Sequence, residues 1–256
     1  DVVRCGVGLN RHRFGAHGRD RQPCRNISVG GHDHLVPLAD IERALGIVDG
    51  NRSGVLHCVT AYPAPAEEYN LAILPHLEAI FGLGVGVSDH SEEPELIPGL
   101  AALLGARIIE KHITLSRGDV GLDDPIALEP ADFRRMVSTV STVAQLRGAG
   151  ASRRRILEEF EDSYGADRID AILGDGRKRL APSERASYGR TNRSLIALRD
   201  LEAGERLERT MIAPLRSEQN VEPGLHPRFM EPILGAELAA PVPRGTGLRW
   251  EHLIRS

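Results

Sequence analysis

From Asn26 onward the chain keeps returning to one unit: a short apolar run, a polar or glycine-rich break, then a stretch with helical period and one apolar face. This alternation constrains the fold more than any other feature. A run too short for a helix, followed by an amphipathic helix, reads as a βα unit. Ile27-Ser28-Val29-Gly30-Gly31 is the first run, and a helix over 39–47 follows with Ile41, Ala44 and Leu45 on one face. Gly54-Val55-Leu56-His57-Cys58-Val59 is the second, followed by a proline-rich loop and a helix over 70–81. Residues 84–87 and 106–112 predict two more strands, and 95–104 and 130–147 two more helices. Units recurring roughly every 25 residues imply a parallel sheet whose strands are buried on both faces. Polar residues gather at the C-terminal ends of these strands, where βα barrels and open α/β sheets place their chemistry.

The flanks read differently. Residues 1–25 mix Arg4, Arg11, Arg13, Arg19, Arg21 and Arg25 with Gly and His in neither period, which predicts an irregular or non-native segment. Residues 26–148 form the βα domain. Residues 149–187 are Arg-rich and weakly periodic, and read as a linker with one helix near 155–160. Residues 188–256, with short strands, prolines and glycines, predict a small β-rich domain near the lower size limit for independent folding.

Charge and cysteine content narrow the function classes. A formal net charge of -4 gives no electrostatic reason for a nucleic acid or an anionic membrane as partner. Cys5, Cys24 and Cys58 are too few and scattered for a disulfide framework, and no CxxC pair points to structural zinc. No apolar run approaches the roughly 18 residues of a membrane span, so the cytoplasm is the expected compartment.

His90 and His112 are the sharpest candidates. Each ends a predicted strand, and the two strands are consecutive, so two imidazoles on strands about 4.8 Å apart can reach one metal ion. The alternative is that each caps a strand or bonds backbone. Side chains alternate along a strand, so Glu110 and His112 share a side and Lys111 faces the other, where pairing with a carboxylate on the helix side is favoured over phosphate binding. Tyr62 sits in a loop stiffened by Pro63 and Pro65, placed to bond substrate or to anchor the loop. Asp123 and Asp124 follow the His112 strand and face either sugar hydroxyls or solvent. Ser28 and the Gly30-Gly31 turn offer donors to a phosphate, on weak evidence.

Four strings, in order, then resemble one family. Leu56-His57-Cys58-Val59-Thr60-Ala61-Tyr62-Pro63-Ala64-Pro65 resembles the fifth-strand region of the sialic acid synthase family. Gly86-Val87-Ser88-Asp89-His90-Ser91 is similar to its sixth-strand motif, and Gly105-Ala106-Arg107-Ile108-Ile109-Glu110-Lys111-His112-Ile113-Thr114-Leu115 to its seventh. Leu128-Glu129-Pro130-Ala131-Asp132-Phe133 is similar to the start of the following helix. Arg193-Ser194-Leu195-Ile196-Ala197, Gly204-Glu205, Gly224-Leu225-His226-Pro227 and Gly235 resemble the antifreeze-like (SAF) domain of these enzymes.

The resemblance covers about residues 26–256. It implies the C-terminal half of a TIM (β/α)8 barrel followed by a small β-clip SAF domain. The implied reaction condenses phosphoenolpyruvate with an N-acylated amino sugar, N-acetylmannosamine or a di-N-acetyl analogue, and releases phosphate. It assigns His90 and His112 as ligands of a divalent metal, manganese ordinarily and magnesium or cobalt otherwise. Ser28 and Ser88 match phosphoenolpyruvate-binding positions, Tyr62 and Asp123 match catalytic positions with Asp123 also touching the amino sugar, and Arg216 is the candidate arginine from the SAF domain. The intact family is expected to form a domain-exchanged homodimer. The first three βα units of the family, which supply a catalytic glutamate and phosphate-binding lysines, have no counterpart in residues 1–25. The chain alone is therefore expected to be inactive or nearly so. Two other readings compete: a non-catalytic carbohydrate-binding or regulatory remnant, and a different metal-dependent aldolase, which would release no phosphate.

Overall fold

A computed structural model describes residues 3–8, 25–30, 38–47, 53–185, 193–216 and 221–254. The chain divides into two compact units, residues 1–185 and 186–256.

The first unit is built on one sheet. Its strands are β1 (Val3–Gly8), β2 (Arg25–Gly30), β3 (Ser53–Cys58), β4 (Gly84–Asp89) and β5 (Ile108–Ile113), in the order β1-β5-β4-β3-β2. The last four are mutually parallel, as the βα alternation requires, and β1 runs antiparallel along β5. Between them lie α1 (Leu38–Leu45), α2 (Ile73–Phe81) and α3 (Leu96–Leu103), followed by α4 (Pro130–Gly148). The α/β class with a parallel sheet is as expected. Two expectations are corrected. Within 1–25, read as irregular, Val3–Gly8 is a strand; residues 9–24 lie outside the described residues. The supposed linker 149–187, expected to hold one helix near 155–160, carries two: α5 (Arg153–Tyr164), which contains that stretch, and α6 (Ala166–Leu173). Ile156, Phe160, Ile169 and Ile172 from these helices are buried in the same core as α2 and α3, so burial of apolar surface fixes a segment whose composition is dominated by charge.

The period of the strands sorts their side chains. Val55, Val85, Val87 and Ile109 point into the core shared with Leu74, Leu77, Leu100 and Leu103 of the helices. The alternate positions, Cys58, Ser88 and Glu110, form one row across β3, β4 and β5 on the other face. Gly86 sits where β4 and β5 approach closely: a Cβ there would run into the Ile108 carbonyl oxygen and lie 2.7 Å from Leu56 Cδ2. Among the described residues no helix is long and apolar enough to cross a membrane.

The second unit pairs β6 (Arg193–Ala197) antiparallel with β7 (Ile212–Arg216) around a core of Leu195, Leu201, Leu207, Ile212, Leu238, Val242 and Leu248. Two loop backbones meet at Gly224 and Gly247, where a Cβ on either would collide with the backbone of the other. That contact explains the glycine in the Gly224-Leu225-His226-Pro227 string.

Candidate active site

His90 follows β4 directly and is held from several sides. The Tyr69 hydroxyl accepts the backbone N–H of His90 at 2.7 Å and of Ser91 at 3.1 Å, while donating to Asp89 Oδ1 at 2.7 Å. Burial and the adjacent Asp89 carboxylate push the Tyr69 phenol well above its usual pKa, so it stays a neutral donor. The His90 carbonyl accepts the N–H of Ala64, which ties the Pro63–Pro65 loop to the strand end.

The His90 ring is oriented as firmly as its backbone. Nδ1 lies 2.9 Å from the Val59 carbonyl oxygen. A carbonyl only accepts, so Nδ1 carries the proton and Nε2 carries the lone pair. The Tyr62 hydroxyl is 3.1 Å from that Nε2, and the two rings stack with centroids 4.2 Å apart. Ser88 Oγ lies 3.5 Å from Nε2 and donates to Glu110 Oε1 at 2.8 Å. Cys58 Sγ is 3.6 Å from Nδ1, and its thiol is pushed up to about 12, first by burial and then by the Glu184 carboxylate, so it is a neutral neighbour at pH 7.

His112 comes from β5 on the same face, with its ring centroid 5.4 Å from that of His90 and 6.1 Å from that of Tyr62. Its Nδ1 is 3.5 Å from Asp123 Oδ2, which the loop after β5 brings back over the strand end. That loop is pinned where Leu128 N–H donates to the His112 carbonyl and Thr114 N–H to that of Leu128.

The structure thus brings together five sequence-predicted residues: Tyr62, Ser88, His90, His112 and Asp123. Ser28 lies on β2 in register with Leu56 of β3. Arg216 ends β7 in the second unit and is exposed. Lys111 pairs with Asp89 at 2.7 Å on the helix side, as the strand period predicts. Two further residues support the cluster. Glu110 is revealed only by sharing the parity of His112. Glu184 accepts the N–H of Thr60 at 2.7 Å and of Ala181 at 3.0 Å, a contact across 124 positions that leaves no local signal.

Chemically, two imidazoles this close can share one ion, since a metal–nitrogen bond is about 2 Å long. Among the described residues no three His, Cys, Asp or Glu side chains group as a complete metal site. An ion here would keep open positions for water or substrate oxygen, as catalytic sites do.

Comparison with known proteins agrees with this layout. Residues 27–152 match the family model described as "NeuB family" and residues 192–254 the "SAF domain". The chain is similar to the spore coat polysaccharide biosynthesis protein SpsE of Bacillus subtilis, at 31% identity over 83% of this chain and 54% of that protein. It is similar to the N,N'-diacetyllegionaminic acid synthase of Campylobacter jejuni at 32% identity, covering 67% of this chain and 45% of the enzyme. The pseudaminic acid synthase of Helicobacter pylori is 30% identical, over 79% and 50%. The chain thus spans about half the length of the curated relatives it matches. The crystal structure of Bacillus subtilis SpsE superposes with a TM-score of 0.71 at 29% identity, covering 90% of this chain and 61% of that one.

Proposed function

Because the chain belongs to the NeuB family and ends in a SAF domain, we propose that it takes part in condensing phosphoenolpyruvate with the open-chain aldehyde of an N-acylated amino sugar, with release of phosphate. The observation that carries this reading is the orientation of His90: Val59 fixes its tautomer so that Nε2 turns to the side where His112 and Tyr62 converge. A histidine whose distal nitrogen is anchored to a carbonyl is arranged as a metal ligand is.

His90 and His112 would hold a divalent ion, manganese in the first instance. When bound, that ion supplies Lewis-acid polarisation of the sugar aldehyde. Tyr62 then supplies a hydroxyl beside the reacting carbonyl, while its ring packs on His90 and limits the water that reaches it. Asp123, with its carboxylate 3.5 Å from His112 Nδ1 and partly exposed, would present that carboxylate to sugar hydroxyls. Ser88, oriented by Glu110, would meet the phosphoenolpyruvate end, a role the family pattern also gives to Ser28 of β2. In the reaction, carbon 3 of phosphoenolpyruvate bonds to the aldehyde carbon, water adds at carbon 2, and the C–O bond to phosphate breaks. Arg216 and the second unit would complete the site of a partner subunit in a domain-exchanged dimer.

The deciding experiment measures phosphate release from phosphoenolpyruvate by the protein that carries this chain. Release should require both manganese and an N-acylated amino sugar, and should fall at least about 100-fold in His90→Ala and His112→Ala. A product formed without phosphate release would instead identify an aldolase. Amino-sugar binding without turnover would identify a carbohydrate-binding protein.

A further inference from the structure

The helix side of β3 carries a second polar site that the proposed reaction does not use. A cavity of about 330 Å³ lies between the end of β3 and the segment 174–185, with His57, Asn70, Lys178 and Glu184 in its wall. Asn70 builds part of that wall. It donates Nδ2–H to the Arg177 carbonyl at 2.7 Å and accepts the Gly176 N–H at 2.8 Å, which sets the chain just before Lys178.

Buried polar atoms without a hydrogen-bond partner among the described residues gather here. They include His57 Nδ1 and Lys178 Nζ, both on lining residues. Buried groups of this kind are normally satisfied, so a cluster of them around one cavity points to something that fills it. Their chemistry says what. His57 Nε2 lies 2.5 Å from the Tyr69 carbonyl oxygen, which only accepts, so Nε2 holds the proton and Nδ1 offers a lone pair. Burial, reinforced by Lys178, lowers the His57 pKa to about 4, so the ring is neutral at pH 7. The cavity therefore joins a spare acceptor to a spare donor. A hydroxyl has the chemistry for both, a hydrogen for His57 Nδ1 and an oxygen for Lys178 Nζ. The lining charges balance, with Glu67, Glu68 and Glu184 against Lys178, Arg179 and Arg185, so no excess of positive charge selects an anion.

We propose that this cavity binds a small neutral polyhydroxy compound, of the monosaccharide or polyol class, with one hydroxyl bridging Lys178 Nζ and His57 Nδ1. Its volume falls within the range of small-molecule sites. Glu184 links the cavity to the candidate active site, because the same carboxylate accepts the N–H of Thr60, next to the Val59 carbonyl that holds His90. The proposal rests on the cavity and stands or falls independently of the condensation reaction.

The test uses the full chain with 15N-labelled histidine, titrated separately with D-mannose, glycerol and inorganic phosphate. Mannose or glycerol should shift the His57 Nδ1 resonance saturably. Lys178→Met and the still polar Lys178→Gln should each weaken that binding at least tenfold, and His112→Ala should leave it unchanged. A response to phosphate alone, no saturable response, or unaltered binding in both folded Lys178 variants would overturn the proposal.

Discussion

The parallel sheet buries polar groups on both faces, and the two sets are arranged in opposite ways. On the helix side, Lys111 and Asp89 are both almost fully buried and form a closed network. Lys111 Nζ bonds Asp89 Oδ2, the Ser91 carbonyl and hydroxyl, and the Glu93 carbonyl, while Asp89 Oδ1 accepts from Tyr69 and from Ser91 N–H. The ammonium's three protons are all engaged, so this pair holds structure in place. On the other face, the row ending in His90 and His112 converges ring on ring with Tyr62, and its outer member is half exposed. The Lys111–Asp89 network spends its polarity on the fold, and the row on the other face presents it at the strand ends.

The most severe test of that contrast is to break the closed network. Lys111→Met leaves Asp89 as a buried, uncompensated charge, which costs about 3–5 kcal/mol. Urea unfolding should show that loss, against about 1 kcal/mol for His112→Ala. Equal losses would erase the distinction between the faces.

His57 gives the next effect. Its pKa drops from 6.5 to about 4 on folding, first through burial and then through Lys178. The unfolded chain therefore binds this proton more readily, so the contribution is complete above pH 6.5 and disappears as pH falls toward 4. The magnitude is about 3 kcal/mol. His57→Gln should flatten the pH dependence of unfolding in that window; an unchanged slope would show that the ring is not buried neutral.

The contrast between faces also explains what could be read from the sequence. The βα units were legible because each strand is short and apolar and each helix one-sided, and the strands lie within about two residues of their expected places. The period of two placed Lys111 on the helix side and Glu110 with His112. It could not name Asp89 as the partner, since strand register is not written in either strand alone. Helix α5 was legible only as a short piece near 155–160 and α6 was hidden, because Arg153, Arg154 and Arg155 and the acidic run after them mask the spacing of Ile156, Phe160, Ile169 and Ile172. Tyr69 and Glu184 were invisible as supports because each acts across a gap that only the folded chain closes.

Glu184 joins the two faces, so its removal sharpens the comparison. Glu184→Gln keeps one acceptor oxygen and loses the charge-assisted bond to either Thr60 or Ala181, costing about 1–2 kcal/mol. If the Thr60 bond orients His90 through Val59, manganese affinity should fall along with stability. The 15N spectrum should also show His90 sampling both tautomers. Loss of stability with an unaltered His90 spectrum would confine Glu184 to the fold.

The smallest change in stability belongs to Tyr62→Phe. The ring is 47% exposed, and phenylalanine keeps its stacking on His90, so unfolding should move by no more than about 0.5 kcal/mol. What disappears is the hydroxyl 3.1 Å from His90 Nε2. If that hydroxyl serves only to anchor the loop, the Ala64 and Thr60 backbone bonds already do so, and turnover should be nearly untouched. If it acts on the substrate carbonyl, the turnover rate should drop roughly 10²-fold, the lower end of what a positioned proton donor contributes, with little change in manganese affinity. A variant that folds like the parent but loses rate would place Tyr62 with the histidines. Unaltered rate would confine Tyr62 to packing beside the two histidines.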